Sequence, residues 1–407
     1  MSERPPEKEK PSSPLQSLVS EKRGLGHEEQ LALYANAKQR QEQVFEWMVQ
    51  HCPDLVKQAE ALKGCAQLLI FHNFYMLGKV LLRGGITCQH HLLCAPCSLR
   101  RSASYTKAYF FPVRHLLQTN PDWAPVLITK TIRNSSDLKG IYTQFTRAHS
   151  KLIQARRNAL KAKTLGIKNP TVYAAFQGGV GSYEYKRGEN SKLWHPHSHE
   201  IAFIRLKDWE ITPIEEWRWR KIDGKRKQVR ETVWKPLEIE SRLREEWKAL
   251  TVGSWRCDVR MIAWDENGLN NDADALFGGV AEVMGYCLKM QDISPADQVE
   301  AYRVLRRHRL TYTYGCLRNV ELPDEAIDTD ETIAADEPWI EMTYRWSQGK
   351  KYSLKEVLQQ HEAKLPEPIT EERDGGVVKK TKAARKAVKD QSKITADAIK
   401  AWLEEHK

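Results

Sequence analysis

The stretch that decides the fold reads Trp194-His195-Pro196-His197-Ser198-His199-Glu200-Ile201-Ala202-Phe203-Ile204. Alternate side chains of a β-strand point to the same face, so His197 and His199 are expected to project together, and apolar residues continue that face into a core. Pro196 cannot donate a hydrogen bond, so regular pairing is expected to begin after it. Two imidazoles presented from one strand form half of a divalent metal site. The alternative is a strand whose histidines are structural, or a structural zinc site.

A second strand is expected just before the histidine strand. Residues 172–185 are expected to form this strand, interrupted by the glycine run at 178–181, and a polar tip over 186–192 leads back into the histidines. The two strands should be antiparallel neighbours, which would put Glu184 beside the histidines. A carboxylate oxygen there would suit Mg²⁺ or Mn²⁺. The alternative is a carboxylate paired with Lys186 or Arg187.

Charge points to a polyanionic partner. The 407 residues include 64 Lys and Arg against 53 Asp and Glu, a formal net charge of +11. Such an excess favours nucleic acid, although a basic cytoplasmic protein without such a partner is the alternative. We see no apolar run of about 18 residues and no secretory signal, so we expect a cytoplasmic protein without a membrane partner.

Clustered cysteines predict a structural zinc site in a reducing compartment. A C-x2-C pair lets two thiolates reach one tetrahedral ion, and two further cysteines complete the set, although His90 or His91 could replace one of them. A group of small buried thiols is the alternative. The four candidate ligands are Cys65, Cys88, Cys94 and Cys97.

Composition divides the chain into four regions. These are a disordered tail over 1–27, a helical region with the cysteine cluster over 28–118, a main domain over 119–320 with a basic insertion at 206–253, and an acidic linker with a basic tail over 321–407. Within the last region, a strand is expected over 339–344 and a short helix over 354–363.

The insertion resembles a β-hairpin that turns at Asp223-Gly224 and mixes cations with tryptophans. Cations can contact phosphate and rings can stack on bases, although a solvated hairpin is the alternative. A basic helix over 98–117 offers further cations. The side chains that we expect to contact DNA are Arg100, Arg101, Lys130, Arg218, Arg220, Lys225, Arg226 and Lys227.

A helix is expected over residues 274–290. At about 100° per residue, Glu282, Tyr286 and Lys289 would lie within roughly 60° of one another. With its pKa of about 10, a tyrosine is rarely ionised at neutral pH, but a metal that holds a phosphate would ease attack by its oxygen. Lys289 could bind the phosphate or favour the phenolate, and Glu282 could activate a water. An ordinary surface ladder is the alternative.

Over roughly residues 65–317 the sequence resembles the single-tyrosine replication initiators of rolling-circle plasmids, in the HUH endonuclease superfamily. The matching stretches are Cys65 with the 88–97 cluster, Leu127-Ile128-Thr129-Lys130-Thr131, Trp194-His195-Pro196-His197-Ser198-His199, Glu282-x3-Tyr286-x2-Lys289, and a closing Arg309-Leu310-Thr311-Tyr312-Thr313-Tyr314-Gly315. Two positions depart from the family pattern: five residues separate Cys88 from Cys94, and Ser198 stands where a bulky apolar residue is usual.

The resemblance implies an α+β fold, with a central antiparallel sheet flanked by helices (ferredoxin/RRM-like) and an N-terminal helical zinc-binding element. It implies that Tyr286 attacks plasmid origin DNA, single-stranded or extruded, to give a 5′-phosphotyrosyl link and a free 3′-OH. His197 and His199 would hold the metal, with His195 or Glu184 contributing.

Under the same resemblance, Glu282 would direct water at termination, and the partners would be the bacterial host helicase and replication machinery. Two further classes stay open from the sequence. One is an HUH transposase or mobilisation relaxase, and the other is a non-catalytic, zinc-stabilised DNA-binding protein.

Overall fold

A computed structural model describes residues 27–74, 77, 79–164, 171–188, 191–222, 225–254, 256–269, 272–285, 293–320, 339–347 and 351–359. The predicted tail lies outside these residues except for His27. The chain forms two compact units. One comprises residues 1–68, 86–326 and 346–353, and the other comprises 69–85, 327–345 and 354–407.

Both helices and strands occur along the described chain. The helices are α1 (His27–His51), α2 (Val56–Gly64), α3 (Ala95–Thr119), α4 (Leu138–Thr164), α5 (Leu237–Leu250), α6 (Ala273–Met284) and α7 (Pro295–Leu305). The strands are β1 (Leu68–Phe74), β2 (Lys79–Gly85), β3 (Trp123–Thr131), β4 (Gly178–Arg187), β5 (Trp194–Arg205), β6 (Thr212–Ile222), β7 (Lys225–Lys235), β8 (Cys257–Met261), β9 (Trp264–Asp265), β10 (Gly268–Leu269), β11 (Thr311–Gly315), β12 (Ile340–Ser347) and β13 (Lys351–Gln359).

The first unit is built on a five-stranded antiparallel sheet in the order β11-β4-β5-β3-β8. Strands β3 and β4 run parallel to each other with β5 between them, and the long helix α4 connects them. The chain therefore follows the order β3-α4-β4-β5-α5-β8, with the β6–β7 hairpin inserted after β5. The predicted α+β class, with an antiparallel sheet flanked by helices, is confirmed.

The sheet has two differently occupied faces. On one face, Leu127, Val180 and Ile201 pack into a hydrophobic core with α3 and α6. Burying several such side chains at about 25 cal/mol per Å² is the main stabilising contribution of this layer. On the opposite face, Ser198 and Glu200 contact side chains that include His149 of α4. Because successive side chains of β5 point to opposite faces, both faces of the sheet carry polar groups from this strand.

The glycine run belongs to strand β4, which begins at Gly178, so the predicted interruption is wrong. A Cβ on Gly181 would lie 2.3 Å from the ring of Tyr312, and a Cβ on Gly179 would lie 2.8 Å from the hydroxyl of Tyr314. The two tyrosines come from β11, which pairs with this part of β4. The glycines therefore leave the space that these rings fill, and the residues before the run form a 3-10 helix at Val172–Ala175.

Strand β5 begins at Trp194 rather than after Pro196. Pro196 pairs with Tyr185 of β4, but β3 pairs with β5 only from His197 onwards. The proline therefore lies where the ladder on one side has already ended, a position at which a missing N–H is tolerated.

The predicted basic hairpin is confirmed in its backbone. Strands β6 and β7 pair in register from Thr212↔Lys235 to Ile222↔Lys225, which leaves two residues for the turn. The predicted turn residues, Asp223 and Gly224, lie outside the described part of the chain.

A second sheet has the order β13-β12-β1-β2. Two expectations are corrected by this sheet. The region 28–118, predicted to be helical, contains the β1–β2 hairpin. Residues 351–359 form a strand, where a helix over 354–363 was predicted. The strand predicted over 339–344 is confirmed as β12. Pairing with β12 gives the backbone of β13 a partner, and such tertiary pairing overrides weak local helix propensity.

Within the described residues, no helix combines the length and the apolar character that crossing a membrane requires.

Candidate functional site

Four cysteines form a compact ligand set in the first unit. Their sulfur atoms all lie within 4.8 Å of one another, with Cys94 Sγ 3.4 Å and Cys97 Sγ 3.5 Å from Cys65 Sγ, and Cys88 Sγ 3.7 Å from Cys97 Sγ. Sulfur ligands at about 2.3 Å around a tetrahedral zinc require separations of this size. The predicted set can therefore hold a metal such as zinc, with all four positions filled by protein.

The local sequence explains how these sulfurs meet. Cys94 is the N-cap of α3 and Cys97 lies in its first turn, where Pro96 is tolerated because first-turn N–H groups have no helical partner. Cys65 directly follows α2, and its sulfur accepts the backbone N–H of Cys88 at 3.4 Å. Hydrogen bonds from the neighbouring thiols hold the pKa of Cys97 far below its ordinary value, which favours an anionic ligand.

A buried lysine lies beside this cluster. The Lys38 ammonium is fully buried and donates to the Cys65 carbonyl at 2.7 Å and to Gln41 Oε1 at 2.7 Å. Burial lowers the pKa of Lys38, and the nearby Cys65 opposes that shift. A cation here would offset the negative charge of four thiolates around one divalent ion.

The histidine face lies on β5 and its neighbours. In the register, Glu184 of β4 stands opposite His197, and Thr131 of β3 stands opposite His197 on the other side. Thr129 Oγ1 lies 3.2 Å from His199 Nδ1, and Thr131 Oγ1 lies 3.2 Å from His197 Nδ1. These hydroxyls orient both rings and leave the Nε2 atoms to bind a metal ion. Hydrogen bonds to the other ring nitrogen orient metal-binding histidines in the same way.

Sequence reasoning missed the two threonines. The signal was present, because Thr129 and Thr131 alternate along the sequence with the same period of two as the histidines. Only the pairing of β3 with β5 identifies which residues they face.

Glu184 is placed beside the histidines, as predicted. Its Oε2 lies 3.2 Å from His199 Nε2, and its Oε1 lies 2.9 Å from Lys186 Nζ, so the two predicted alternatives coexist. Burial lowers the pKa of His197 to about 4, against the opposing effect of Glu184, so this ring is neutral and able to coordinate at pH 7. His195 is less buried, and its Nε2 lies 3.2 Å from Ser191 Oγ.

The two candidate metal centres differ in how far they are formed. In the described part of the chain, only one group of three or more His, Cys, Asp or Glu side chains has donor atoms that all lie within 4.8 Å of one another. That group is the four cysteines. His197, His199 and Glu184 are neighbours in the sheet but do not meet that distance. Their donor types nevertheless fit a divalent ion that accepts imidazole and carboxylate.

Glu282 reaches the histidine face from α6. Its Oε1 lies 3.8 Å from His199 Nδ1, and its Oε2 accepts a hydrogen bond from Arg260 at 2.8 Å. The side chain is 36% exposed, so water can reach it. Arg260, on β8, is a further member of the site that its sequence position alone does not reveal.

Helix α6 ends at Met284, and the predicted continuous helix to residue 290 is wrong. Gly285 has an extended ψ of −179°, and Tyr286 and Lys289 lie outside the described residues. Ser182 donates to the carbonyl of Val283, and Ser102 donates to the carbonyl of Met284 at 2.6 Å. These hydroxyls satisfy the carbonyls that the next helical turn would have used, and glycine has little helix propensity.

Lys130 is buried and is therefore not available to contact DNA, which corrects one prediction. Its side chain is fully buried on the opposite face of the sheet and lies 2.5 Å from Glu200 Oε2. The same carboxylate also accepts hydrogen bonds from the hydroxyl groups of Tyr173, Tyr312 and Tyr314. The residue before Lys130 faces the histidines, so one step of alternation separates the two environments.

The other predicted DNA contacts have different outcomes. Arg100 is only 8% exposed and is therefore not an available phosphate contact, which corrects a second prediction. Arg101 is partly exposed and lies 4.6 Å from the centre of the Tyr105 ring. Arg218 pairs with Glu216 at 2.8 Å. Lys227 lies on β7, and the side chains of Arg220, Lys225 and Arg226 lie outside the described part.

No family model, curated protein or solved structure matches this chain. Function is therefore inferred from the site and from the sequence motifs.

Proposed function

We propose that this protein is a metal-dependent DNA nickase and strand transferase that initiates rolling-circle plasmid replication, of the single-tyrosine type in the HUH endonuclease superfamily. The observation that carries the proposal is the meeting of His197, His199, Glu184 and Glu282 on one face of the central sheet. Two imidazoles and two carboxylates from three separate elements suit phosphoryl transfer better than they suit a structural role.

The chain order of the sheet supports the same family. Strands β3, β4, β5 and β8 with helices α4 and α5 follow a β-α-β-β-α-β path, and the spatial order is β4-β5-β3-β8. This order supports the split β-α-β arrangement of ferredoxin-like and RRM-like folds. The proposed histidine ligands lie on β5, the central strand of the five-stranded sheet, and Glu184 lies on the neighbouring strand β4.

Mg²⁺ or Mn²⁺ would be held by His197 and His199 through their Nε2 atoms, with Glu184 or His195 as the further ligand. When bound, the ion would neutralise charge on the target phosphate. The chain's own contribution is orientation, since Thr129 and Thr131 fix the two rings through Nδ1.

In the proposed reaction the Tyr286 oxygen attacks a DNA phosphorus atom. A bond forms between that oxygen and phosphorus, the bond from phosphorus to the 3′ oxygen breaks, and the tyrosyl proton is balanced by the proton gained by the 3′-OH. Lys289 would bind the phosphate. The products are a 5′-phosphotyrosyl link and a primer end.

Glu282 would act later, by accepting a proton from the water that hydrolyses the covalent link. Its partial exposure and its contact with Arg260 suit that role, because water can reach the carboxylate and the arginine orients it at the edge of the site. We expect Glu282→Gln to leave covalent capture largely intact and to slow release of the DNA at least tenfold. Equal loss of both steps, measured in a pulse of labelled oligonucleotide, would contradict the assignment.

Covalent capture tests the proposal. The full chain is mixed with single-stranded oligonucleotides that tile the parent replicon, with and without Mn²⁺ or Mg²⁺, and products are resolved on a denaturing gel. We expect a metal-dependent adduct that peptide mass spectrometry maps to Tyr286, and its loss in Tyr286→Phe.

Tyr302→Phe is the matched control, because this tyrosine lies on α7 and has no place in the proposed chemistry. It should retain the adduct. An adduct on another residue would keep the enzyme class and reject Tyr286. Absence of both adduct and cleavage, from folded protein, would reject the nickase.

The second candidate is a non-catalytic, zinc-stabilised DNA-binding protein. The convergence of the four cysteine sulfurs favours it, because that centre is the more completely formed of the two. The exposed Trp217, on the basic hairpin, would suit base stacking in either protein. Metal-independent DNA binding without cleavage would distinguish this candidate.

A further inference from the structure

A basic cleft of about 550 Å³ lies in the first unit. Its walls come from α3, from the end of α6, from β4 and β11, and from the turn that joins α7 to β11. The size falls in the range of ordinary ligand sites, which are a few hundred to about 1,000 Å³.

The charge of this cleft is of one sign. Five arginines line it, together with His91 and His308, and none of the described lining residues is an Asp or a Glu. The arginines are Arg101, Arg306, Arg307, Arg309 and Arg318. Positive charges grouped without a lining carboxylate give the cleft a positive potential, which attracts a polyanion.

The other lining groups suit a nucleic-acid strand. Thr311 and Thr313 add neutral hydroxyl groups, and the register of β11 against β4 places both on the same face of the sheet. Tyr105 offers an aromatic ring with the Arg101 guanidinium above it at 4.6 Å. Guanidinium groups beside an aromatic ring are the combination that single-stranded nucleic acid uses, with phosphates on cations and bases on rings.

The cleft adjoins the histidine face. Ser182 lines the cleft and is the direct cross-strand partner of His199. Gly285 also lines it, at the point where α6 has ended, and is the residue before Tyr286. A strand lying in the cleft would therefore continue to the histidines within one strand spacing, about 5 Å.

We propose that this cleft binds the single-stranded DNA that adjoins the scissile phosphate, through contacts of its arginines with two or more backbone phosphates. The proposal rests on the proposed function for the identity of the strand, but binding itself requires neither the metal nor the cleavage step. Arg307 and Arg309 are exposed on the turn and are the most accessible contacts.

Binding is measured in the Tyr286→Phe background, without added divalent metal, so that no covalent step contributes. The probe is a labelled oligothymidylate of about 20 nucleotides, followed by fluorescence anisotropy between about 50 and 200 mM salt. We expect Arg307→Gln/Arg309→Gln to weaken binding about tenfold and to reduce the slope of log K against log salt by about 1.4, since each single-strand phosphate contact contributes about 0.7.

The control is Arg157→Gln/Lys161→Gln, which removes the same charge from exposed positions of α4 that do not line the cleft. It should change affinity less than twofold. Equal loss in both variants would show diffuse electrostatic binding and overturn the assignment. So would unchanged binding in the cleft variant, or duplex DNA competing as well as the single strand.

If the first cleft variant fails to fold by circular dichroism, Arg306→Gln/Arg318→Gln tests the same claim from the other exposed arginines. The two proposals can fail separately. DNA binding that depends on the cleft, without a Tyr286 adduct, would reject the nickase and support the cleft as a DNA-binding site. An adduct that survives loss of the arginines would support the nickase and reject the cleft as the DNA-binding site.

Discussion

At the scale of single residues, the two faces of β5 carry different chemistry. His197 and His199 face the proposed reaction site, and the residue that follows them, Glu200, faces a buried network with Lys130. A buried carboxylate is tolerated when cations and hydrogen bonds replace its water, and here three tyrosine hydroxyls supply the bonds. This network fixes the register of the strand that carries the histidines.

Lys130→Met should therefore destabilise the fold by about 3–5 kcal/mol, because it leaves a buried carboxylate without its cation. Glu200→Gln added to the same chain should recover a large part of that loss, since it removes the remaining charge. Urea denaturation measures both. Lys139→Met, an exposed change on α4, is the control and should stay within about 0.5 kcal/mol. Additive losses in the double variant would refute the pairing.

Burial also makes His149 sensitive to pH. Burial and the Lys130 cation lower the pKa of His149 below 6.5 in the folded chain, so the folded state resists a proton that the unfolded chain accepts. The contribution of His149 to the free energy of unfolding is therefore constant above pH 6.5. Below pH 6.5 it falls by up to about 1.4 kcal/mol per pH unit.

The measurement is the free energy of unfolding at pH 7.5 and at pH 5.5. His149→Gln should show a smaller loss between the two than the unchanged chain does. His115→Gln, at an exposed histidine on α3, should show the same loss as the unchanged chain. Parallel behaviour of all three proteins would show that His149 does not carry the effect.

At the scale of elements, β4 and β11 fit together because glycines and tyrosines face each other. The rings of Tyr312 and Tyr314 occupy the space that side chains on Gly181 and Gly179 would fill. Their hydroxyl groups donate hydrogen bonds to Glu200. The glycines are therefore required by the close approach of two aromatic rings, and the run does not mark a turn.

Gly181→Ala should destabilise the fold by about 1–3 kcal/mol, because the new methyl group would lie 2.3 Å from the Tyr312 ring. Gly64→Ala is the matched control, since a Cβ there meets nothing within 4 Å and the residue closes helix α2. That change should be neutral or stabilising by up to about 1 kcal/mol. Equal thermal shifts in the two variants would contradict the packing argument.

At the scale of the whole molecule, the cysteine cluster joins segments that are distant in sequence. Cys65 follows α2, Cys88 follows β2, and Cys94 and Cys97 begin α3. A metal bound to all four would therefore restrain three parts of the chain at once, and its binding free energy would contribute to folding.

We expect the protein to carry about one zinc ion per chain, and Cys97→Ser to lose it together with several degrees of thermal stability. The measurements are metal content by plasma mass spectrometry and thermal unfolding, with a chelator as a second route to the same state. Cys316→Ser is the control, because this exposed cysteine is not part of the cluster. Retention of zinc by Cys97→Ser would remove Cys97 from the ligand set.

The sequence by itself determined the features that depend on local spacing. Alternation identified His197 and His199 as neighbours on one face, a C-x2-C pair identified the cysteine cluster, and an Asp-Gly pair between basic, tryptophan-containing runs identified the β6–β7 hairpin. Each depends on residues a few positions apart, whose geometry the backbone period fixes.

Tertiary structure decided what depends on distant partners. It buried Lys130 against Glu200, placed Thr129 and Thr131 behind the histidines, and ended α6 at Met284 through serine hydroxyls from two other elements. It also paired residues 351–359 as a strand. Local propensities differ by about 1 kcal/mol or less, so one buried ion pair, one capped carbonyl or one neighbouring strand is enough to override them.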